Sequence, residues 1–291
     1  MITGLVSRAA FVLKEKGGSY NKMKLGIIGA GNMGTAIIKG YIAAGADASD
    51  IIVCGHHPEK LEAMKSELSI TIAPDVSSLT DASDAVMVAV KPKDMAKVLA
   101  EAAPRLKESQ LIISIAAGKS IQAISEMLDS AAVPADKRKI IRVMPNTPAM
   151  VGEAMSALCR NEAVSDEEFA SVMEIFTGIG KASEITENLM DVVGAVSGCS
   201  PAYVYMFIEA MADGGVKSGM PRAQAYEFAA QSVLGAAKMV LETGEHPGAL
   251  KDAVCSPGGT TIEAVSVLER GGFRSTIIDA VTAATEKSKN M

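Results

Sequence analysis

From Lys24 onward, short apolar and largely β-branched runs alternate with longer stretches whose apolar positions recur at helical spacing. The strand-like runs are residues 24–28, 51–54, 70–72, 85–90, 111–115 and 139–143. Between them, residues 33–44, 58–67, 93–102 and 120–128 have helical patterns, and Gly45 supplies a stop for the first. Strands that are apolar at nearly every position, alternating with helices, predict a parallel sheet covered on both faces. Residues 155–159, 166–176 and 181–185 extend the pattern as strand, helix and strand. After Glu187 the alternation stops, and 188–290 carries only helical patterns. Ser200-Pro201 offers an N-cap with proline at the first helical position, and Gly219, Gly244 and Gly271-Gly272 separate the helical stretches of this half. The expected fold class is α/β: a Rossmann-type doubly wound sheet over 23–187, then an all-α C-terminal domain over 188–291.

Residues 1–22 are set apart as an N-terminal extension. Arg8 interrupts the apolar stretch between Leu5 and Leu13, so no continuous signal-peptide core forms. Start-site choice or processing accounts for such an extension, with an organellar leader as the alternative.

The helical half is apolar around too much of its circumference. In 201–218, Glu209, Asp213 and Lys217 form one charged stripe, while Tyr203, Val204, Met206, Phe207, Ile208 and Met211 occupy the rest. In 223–243, Glu227, Gln231, Lys238 and Glu242 lie roughly together, opposite Phe228, Val233, Leu234, Met239, Val240 and Leu241. A monomer's surface helix needs only one core-facing apolar stripe. The excess predicts dimerisation through these helices.

Composition narrows the class. The chain has 291 residues, 48% hydrophobic and 21% charged, which is globular rather than disordered. Its net charge of -6 and the absence of long Lys/Arg runs argue against nucleic acid or an anionic membrane as partner. No unbroken apolar run reaches the ~20 residues a bilayer requires. Cys54, Cys159, Cys199 and Cys255 are scattered without CxxC spacing or a nearby histidine, so neither a metal site nor a disulfide framework is expected. Reduced thiols fit a cytoplasmic location.

Gly29-Ala30-Gly31-Asn32-Met33-Gly34 follows the first strand and opens a helix, the context in which GxGxxG has meaning. The first glycine permits a tight turn, the second close approach of a pyrophosphate, and the third helix–strand packing. Helix-terminal N–H groups then bind the anion; a fortuitous glycine-rich turn is the alternative. A carboxylate ending the second strand would favour NAD(H), but the stretch reads Cys54-Gly55-His56-His57-Pro58-Glu59-Lys60. His56, His57 and Lys60 suit a 2′-phosphate, favouring NADP(H), with NAD(H) possible if both histidines are merely solvated.

Acid/base material is scarce. Besides His56 and His57 there is only His246. The cleft expected at the strand ends would be lined by Val90-Lys91-Pro92, Ala116-Ala117-Gly118 and Met144-Pro145-Asn146-Thr147-Pro148. There Lys91 is either a cleft residue or a solvated one, and Asn146 either functional or a turn residue. In the second half, Ser256-Pro257-Gly258-Gly259-Thr260-Thr261 sets serine, two glycines and two threonines at a helix start. Backbone N–H and hydroxyl donors without fixed charge suit a small carboxylate; an interhelical turn is the plainer alternative.

From Met23 onward the chain resembles the pyrroline-5-carboxylate reductase family. The resemblance is carried by Gly29-Ala30-Gly31-Asn32-Met33, Ala89-Val90-Lys91-Pro92, 142–148, Ser197-Gly198, Pro201-Ala202-Tyr203 and 252–261. It implies NAD(P)H-dependent reduction of 1-pyrroline-5-carboxylate to proline, with subunits that dimerise through the helical domain and often assemble into decamers. Carried over by position, 29–34, 89–92 and 115–117 are cofactor contacts. Ser256, Gly258, Gly259, Thr260 and Thr261 form the substrate-carboxylate loop, with Thr261 as the residue that hydrogen-bonds the ring nitrogen. Two departures stand out. Cys199-Ser200 replaces the more usual Ser-Gly, and Val76 stands where many relatives carry an asparagine near the cofactor ribose.

A protonated cyclic imine accepts hydride readily, so alignment matters more than a side-chain acid. The rival expectations are a β-hydroxyacid dehydrogenase, a broader imine reductase, or a catalytically silent NADP(H)-binding sensor. The first calls for a lysine on the first long helix of the second domain, where only Lys217 is present, at the far end. A sensor has no use for the donor-rich 256–261 loop.

Overall fold

A computed structural model of the chain describes residues 23–290. The extension expected over 1–22 lies outside the described residues. By internal contacts the chain forms two compact units, one running to Gly198 and resuming at Thr285, the other spanning Cys199–Ala284.

The first unit is built on one eight-stranded sheet of order β3-β2-β1-β4-β5-β6-β7-β8. Its strands are β1 (Leu25–Ile28), β2 (Ile51–Cys54), β3 (Thr71–Ile72), β4 (Ala85–Val88), β5 (Leu111–Ser114), β6 (Lys139–Met144), β7 (Ala154–Arg160) and β8 (Gly180–Glu184). The helices between them are α1 (Asn32–Ala43), α2 (Pro58–Leu68), α3 (Val76–Ala82), α4 (Met95–Ala102), α5 (Ile121–Glu126) and α6 (Asp166–Thr177). Period-2 alternation divides the apolar side chains between the two faces. Leu25, Ile27, Ile51, Val53, Met87 and Ile113 pack on the face covered by α1, α2 and α6. Ile28, Ile52, Val86, Val88 and Ile112 pack against α3, α4 and α5. The sheet is therefore doubly wound.

Three details differ from the sequence expectation. β7 runs antiparallel to β6, Arg142 pairing with Cys159, so the extension of the sheet is mixed rather than all parallel. A turn of only nine residues joins the two strands, enough for a reversal but too short for a parallel crossover. The helix α3 is unpredicted: seven residues long, with Ser77, Ser78 and Asp81, it has little periodicity to read. Asp75 caps it, accepting from the Ser78 N–H at 2.7 Å, and Val76 and Leu79 anchor it on the sheet. Strand 85–90 ends at Val88 and helix 93–102 begins as a 3-10 turn over Pro92–Asp94, because Pro92 fixes the backbone there.

The compact units divide after Gly198, beyond the change of pattern at Glu187. The reason is a buried cation. Arg142 on β6, only 4% exposed, has Nη1 at 3.4 Å from Glu187 Oε1 and Nη2 at 3.7 Å from Asp191 Oδ1. Ser288 Oγ donates to that same Asp191 oxygen at 2.7 Å, which brings the C-terminal residues into this unit. The short helix α7 (Met190–Val193) and the π-helical turn Gly194–Gly198 therefore pack with the sheet, burying Met190 and Ala195.

The second unit holds α8 (Ser200–Lys217), α9 (Arg222–Thr243), α10 (Pro247–Ala253), α11 (Thr260–Arg270) and most of α12 (Phe273–Lys289). Its core is thin: among its described residues only Ala212, Ala225 and Ala229 are buried hydrophobics. Tyr205, Met206, Phe228 and Leu241 are each more than 60% exposed in the single chain.

The stretch Glu187–Lys217 is, by length and composition, apolar enough to cross a membrane. Small and polar residues interrupt it, so it contains no unbroken apolar run of bilayer length, and it is divided among a 3-10 turn, α7, the π-helical turn and α8. Helices covered by a second subunit need the same composition.

Candidate functional site

The order β3-β2-β1-β4-β5 reverses direction between β1 and β4, and doubly wound sheets bind ligands outside the strand ends at such a switch point. A cavity of about 450 Å³ lies there, entirely within the first unit.

Its floor is the turn after β1, where each glycine has a separate reason. Gly29 adopts φ +108°, and an added Cβ would sit 2.7 Å from the Ala89 carbonyl oxygen. Its N–H donates to the Cys54 carbonyl at 2.8 Å, drawing the three strand ends together. Gly34 is the packing glycine, since a Cβ there would lie 2.5 Å from the Gly29 carbonyl oxygen. Gly31 is different: an added Cβ would meet nothing within 4 Å. It is also the N-cap of α1 and provides no side chain to bond the first-turn N–H groups. The protein itself leaves that space open above uncapped helix amides, which suits an anion.

The cavity gathers Gly29, Ala30, Gly31, His56, His57, Lys60, Ala89, Val90 and Lys91. His57 is the N-cap of α2 and its carbonyl accepts from the Leu61 N–H at 3.1 Å, which fixes the turn carrying His56, His57 and Lys60. Asn32, Met33, Gly34, Pro92, Ile115, Ala116 and Ala117 are not in its lining. Ile115-Ala116-Ala117 follows β5, the strand beside β4, with Ala116 buried and its N–H accepted by Ser114 Oγ at 3.3 Å. The cavity is also lined by Val76, the position that the resemblance sets near the cofactor ribose, and by Pro74, Asp75, Lys97, Val98 and Glu101, which pattern reasoning missed. They come from the β3–α3 turn and α4. Only the Pro74-Asp75 turn signal marks any of them in the sequence.

Asn146 proves to be a clamp. Its Nδ2 donates to the Ser197 carbonyl at 3.0 Å and its Oδ1 accepts from the Met155 N–H at 3.0 Å, all at 8% exposure. The turn after β6 is thereby tied to β7 and to the π-helical turn. Asn146→Ala is expected to lower stability by about 1–3 kcal/mol, because the Met155 N–H and the buried Ser197 C=O lose their partner. Chemical denaturation would measure it, and an unchanged midpoint would refute it.

In the second unit, residues 256–261 form a tight turn into α11. Gly258 has φ +67°, and a Cβ on Gly259 would lie 2.4 Å from Ser256 Oγ. Gly259 is the N-cap of α11 and makes no side-chain cap. The exposed Thr260 and half-buried Thr261 open that helix with hydroxyls that make no hydrogen bond among the described residues. The turn can present N–H and O–H donors without a charged side chain. Among the described residues no cluster of three or more His, Cys, Asp and Glu is arranged to hold a metal ion.

Two family models match. Residues 187–291 match pyrroline-5-carboxylate reductase dimerisation, beginning where the strand–helix alternation stops, and residues 24–118 match NADP oxidoreductase coenzyme F420-dependent. A pyrroline-5-carboxylate reductase of Escherichia coli (strain K12) is 50% identical over 269 residues, 92% of this chain and 98% of that protein. The Synechocystis enzyme of the same name is 44% identical over 270 residues, again 92% of this chain and 98% of that one. Among solved structures, the Plasmodium falciparum pyrroline carboxylate reductase with NADP bound superposes with TM-score 0.82 at 36% identity, over 94% of this chain and 99% of that one. The Coxiella burnetii pyrroline-5-carboxylate reductase gives 0.85 at 33%, over 93% and 98%. An archaeal ketol-acid reductoisomerase, at 14% identity and TM-score 0.59, shares the fold alone.

Proposed function

The chain belongs to the pyrroline-5-carboxylate reductase family, and from that premise we propose that it reduces the C=N bond of 1-pyrroline-5-carboxylate to give L-proline, the last step of proline biosynthesis, with NADPH preferred over NADH. The cofactor, when bound, supplies a hydride. Gly29, Ala30 and Gly31, with the backbone N–H groups of Asn32 and Met33 that open α1, would hold its pyrophosphate while Gly34 packs the helix on the turn, and Ala89–Pro92 and Ile115–Ala117 would border its nicotinamide half. His56, His57 and Lys60, which line the same cavity, would face the 2′-phosphate.

The observation that carries the substrate assignment is the uncharged donor turn 256–261 at the uncapped start of α11. Ser256, Gly258, Gly259 and Thr260 would hold the carboxylate through hydroxyl and backbone donors. Thr261 would orient the ring nitrogen. A protonated imine carries positive charge, which a neutral hydroxyl does not repel and a lysine would. The proton comes from solvent, the hydride goes to the ring carbon, and the nitrogen keeps the proton, so no side-chain acid is consumed. A homodimer through the C-terminal helices, assembling further into a decamer, and a cytoplasmic location complete the proposal.

The test is NADPH oxidation with 1-pyrroline-5-carboxylate against a panel of other cyclic imines, 2-keto acids and hydroxyacids. Proline formation is expected. Activity on a hydroxyacid without turnover of the imine would favour a β-hydroxyacid dehydrogenase, and no turnover at all a sensor. Side-by-side kcat/KM values are expected to be higher for NADPH than for NADH, and equality would remove His56, His57 and Lys60 from phosphate recognition. Thr261→Val is expected to lower kcat/KM for the imine by about 10–100-fold through lost alignment, leaving NADPH binding unchanged. An unaltered kcat/KM would remove Thr261 from the reaction.

A further inference from the structure

We propose that Asp75 and Glu101 are specificity residues that oppose the cofactor's 2′-phosphate, so that the pocket retains affinity for a nucleotide bearing a free 2′-hydroxyl. This rests on the dinucleotide assignment above. The end of β2 carries no carboxylate, and Glu59 on α2 is not in the cavity lining. Folding nevertheless brings two to that place. Asp75, from the β3–α3 turn, and Glu101, on α4, line the same cavity as His56, His57 and Lys60.

Both act on the last residue of β2. Cys54 is 4% exposed, and burial, then the charge of Glu101, then that of Asp75, push its thiol up to about 12. Asp75 is held in place by the Ser78 N–H at 2.7 Å, a bond that keeps its carboxyl below the usual carboxylate range and therefore ionised at neutral pH. Ser77 Oγ donates to the Glu101 carbonyl at 3.5 Å, joining α3 to α4 beside the cavity. Lys91 and Lys97 also line it. The wall is thus mixed, with three lysines and two histidines against two carboxylates. A phosphate dianion experiences both signs. A ribose hydroxyl experiences little Coulomb force and can donate to a carboxylate. Loss of either acidic charge therefore favours the phosphorylated nucleotide selectively.

The experiment is calorimetric titration of the purified full chain with NADP⁺ and with NAD⁺, in 0.02 M and 0.5 M salt. Asp75→Asn keeps the cap acceptor while removing the charge, and Glu101→Gln keeps the shape of its side chain. The ratio Kd(NAD⁺)/Kd(NADP⁺) is expected to rise about threefold in each variant at low salt and about tenfold in the double variant, as for unit charges acting through water over several ångström. The change should shrink at high salt, because exposed charges are screened over about 10 Å at 0.1 M. Equal weakening of both nucleotides would mean a merely structural role and overturn the proposal. So would a ratio left unchanged in a double variant that is as thermally stable as the unaltered chain. If the unaltered chain bound neither nucleotide, the dinucleotide assignment would fall as well.

Discussion

Gly31→Val is expected to leave the protein folded and to weaken NADPH binding by at least about 100-fold, which corresponds to about 2.7 kcal/mol. The two halves of that outcome have separate causes. In the protein a Cβ at position 31 meets nothing within 4 Å, and Gly31 has φ -70°, a value any residue adopts. The fold therefore leaves room for a Cβ there. The open space above the uncapped start of α1 is, however, what a pyrophosphate needs in order to reach the backbone N–H groups. A branched side chain fills it. Gly29→Ala is the contrasting variant, since φ +108° and the approach to Ala89 impose strain as well as displacement of the loop. It should lose thermal stability together with affinity. Thermal unfolding and NADPH titration of both variants check this; Gly31→Val binding NADPH normally would mean that the loop does not hold the pyrophosphate.

The second large effect concerns assembly. Light scattering at micromolar concentration is expected to give at least twice the 30.1 kDa of one chain, and Tm is expected to rise with protein concentration. Residues 199–284 bury almost no large side chain by themselves, while Tyr205 is 61%, Met206 70%, Phe228 64% and Leu241 63% exposed. Such an apolar surface would promote aggregation if left uncovered. A second copy is expected to cover it through an interface beyond ~2,000 Å², in the manner of obligate homodimers. The family model for dimerisation matches this same region. A stable monomer with full activity would overturn the expectation.

Features that depend on local order were legible along the chain. Apolar runs of strand length alternating with helical patterns specify a doubly wound sheet, because each element must bury the face its own period creates. The glycines at 29, 31 and 34 could be given distinct roles from spacing alone, since strand, turn and helix are contiguous there. The excess apolar surface of 201–243 was likewise visible, because helical periodicity exposes it without knowledge of any partner.

Features that join residues distant in the chain were set by packing. That β7 reverses against β6, and that α3 exists at all, depend on strands already in place. Arg142 could not be seen to hold Glu187 and Asp191, nor Asn146 to bridge Met155 and Ser197, because those partners lie up to 51 residues away. The charge at the end of β2 is the sharpest case. Reading along the strand finds two histidines and a lysine. The strand order places β3 beside β2, and the packing of α3 and α4 adds Asp75 and Glu101 to the same cavity. Electrostatic potential sums over whatever folding brings near, irrespective of sequence order, so the sign of a pocket wall is set only in three dimensions.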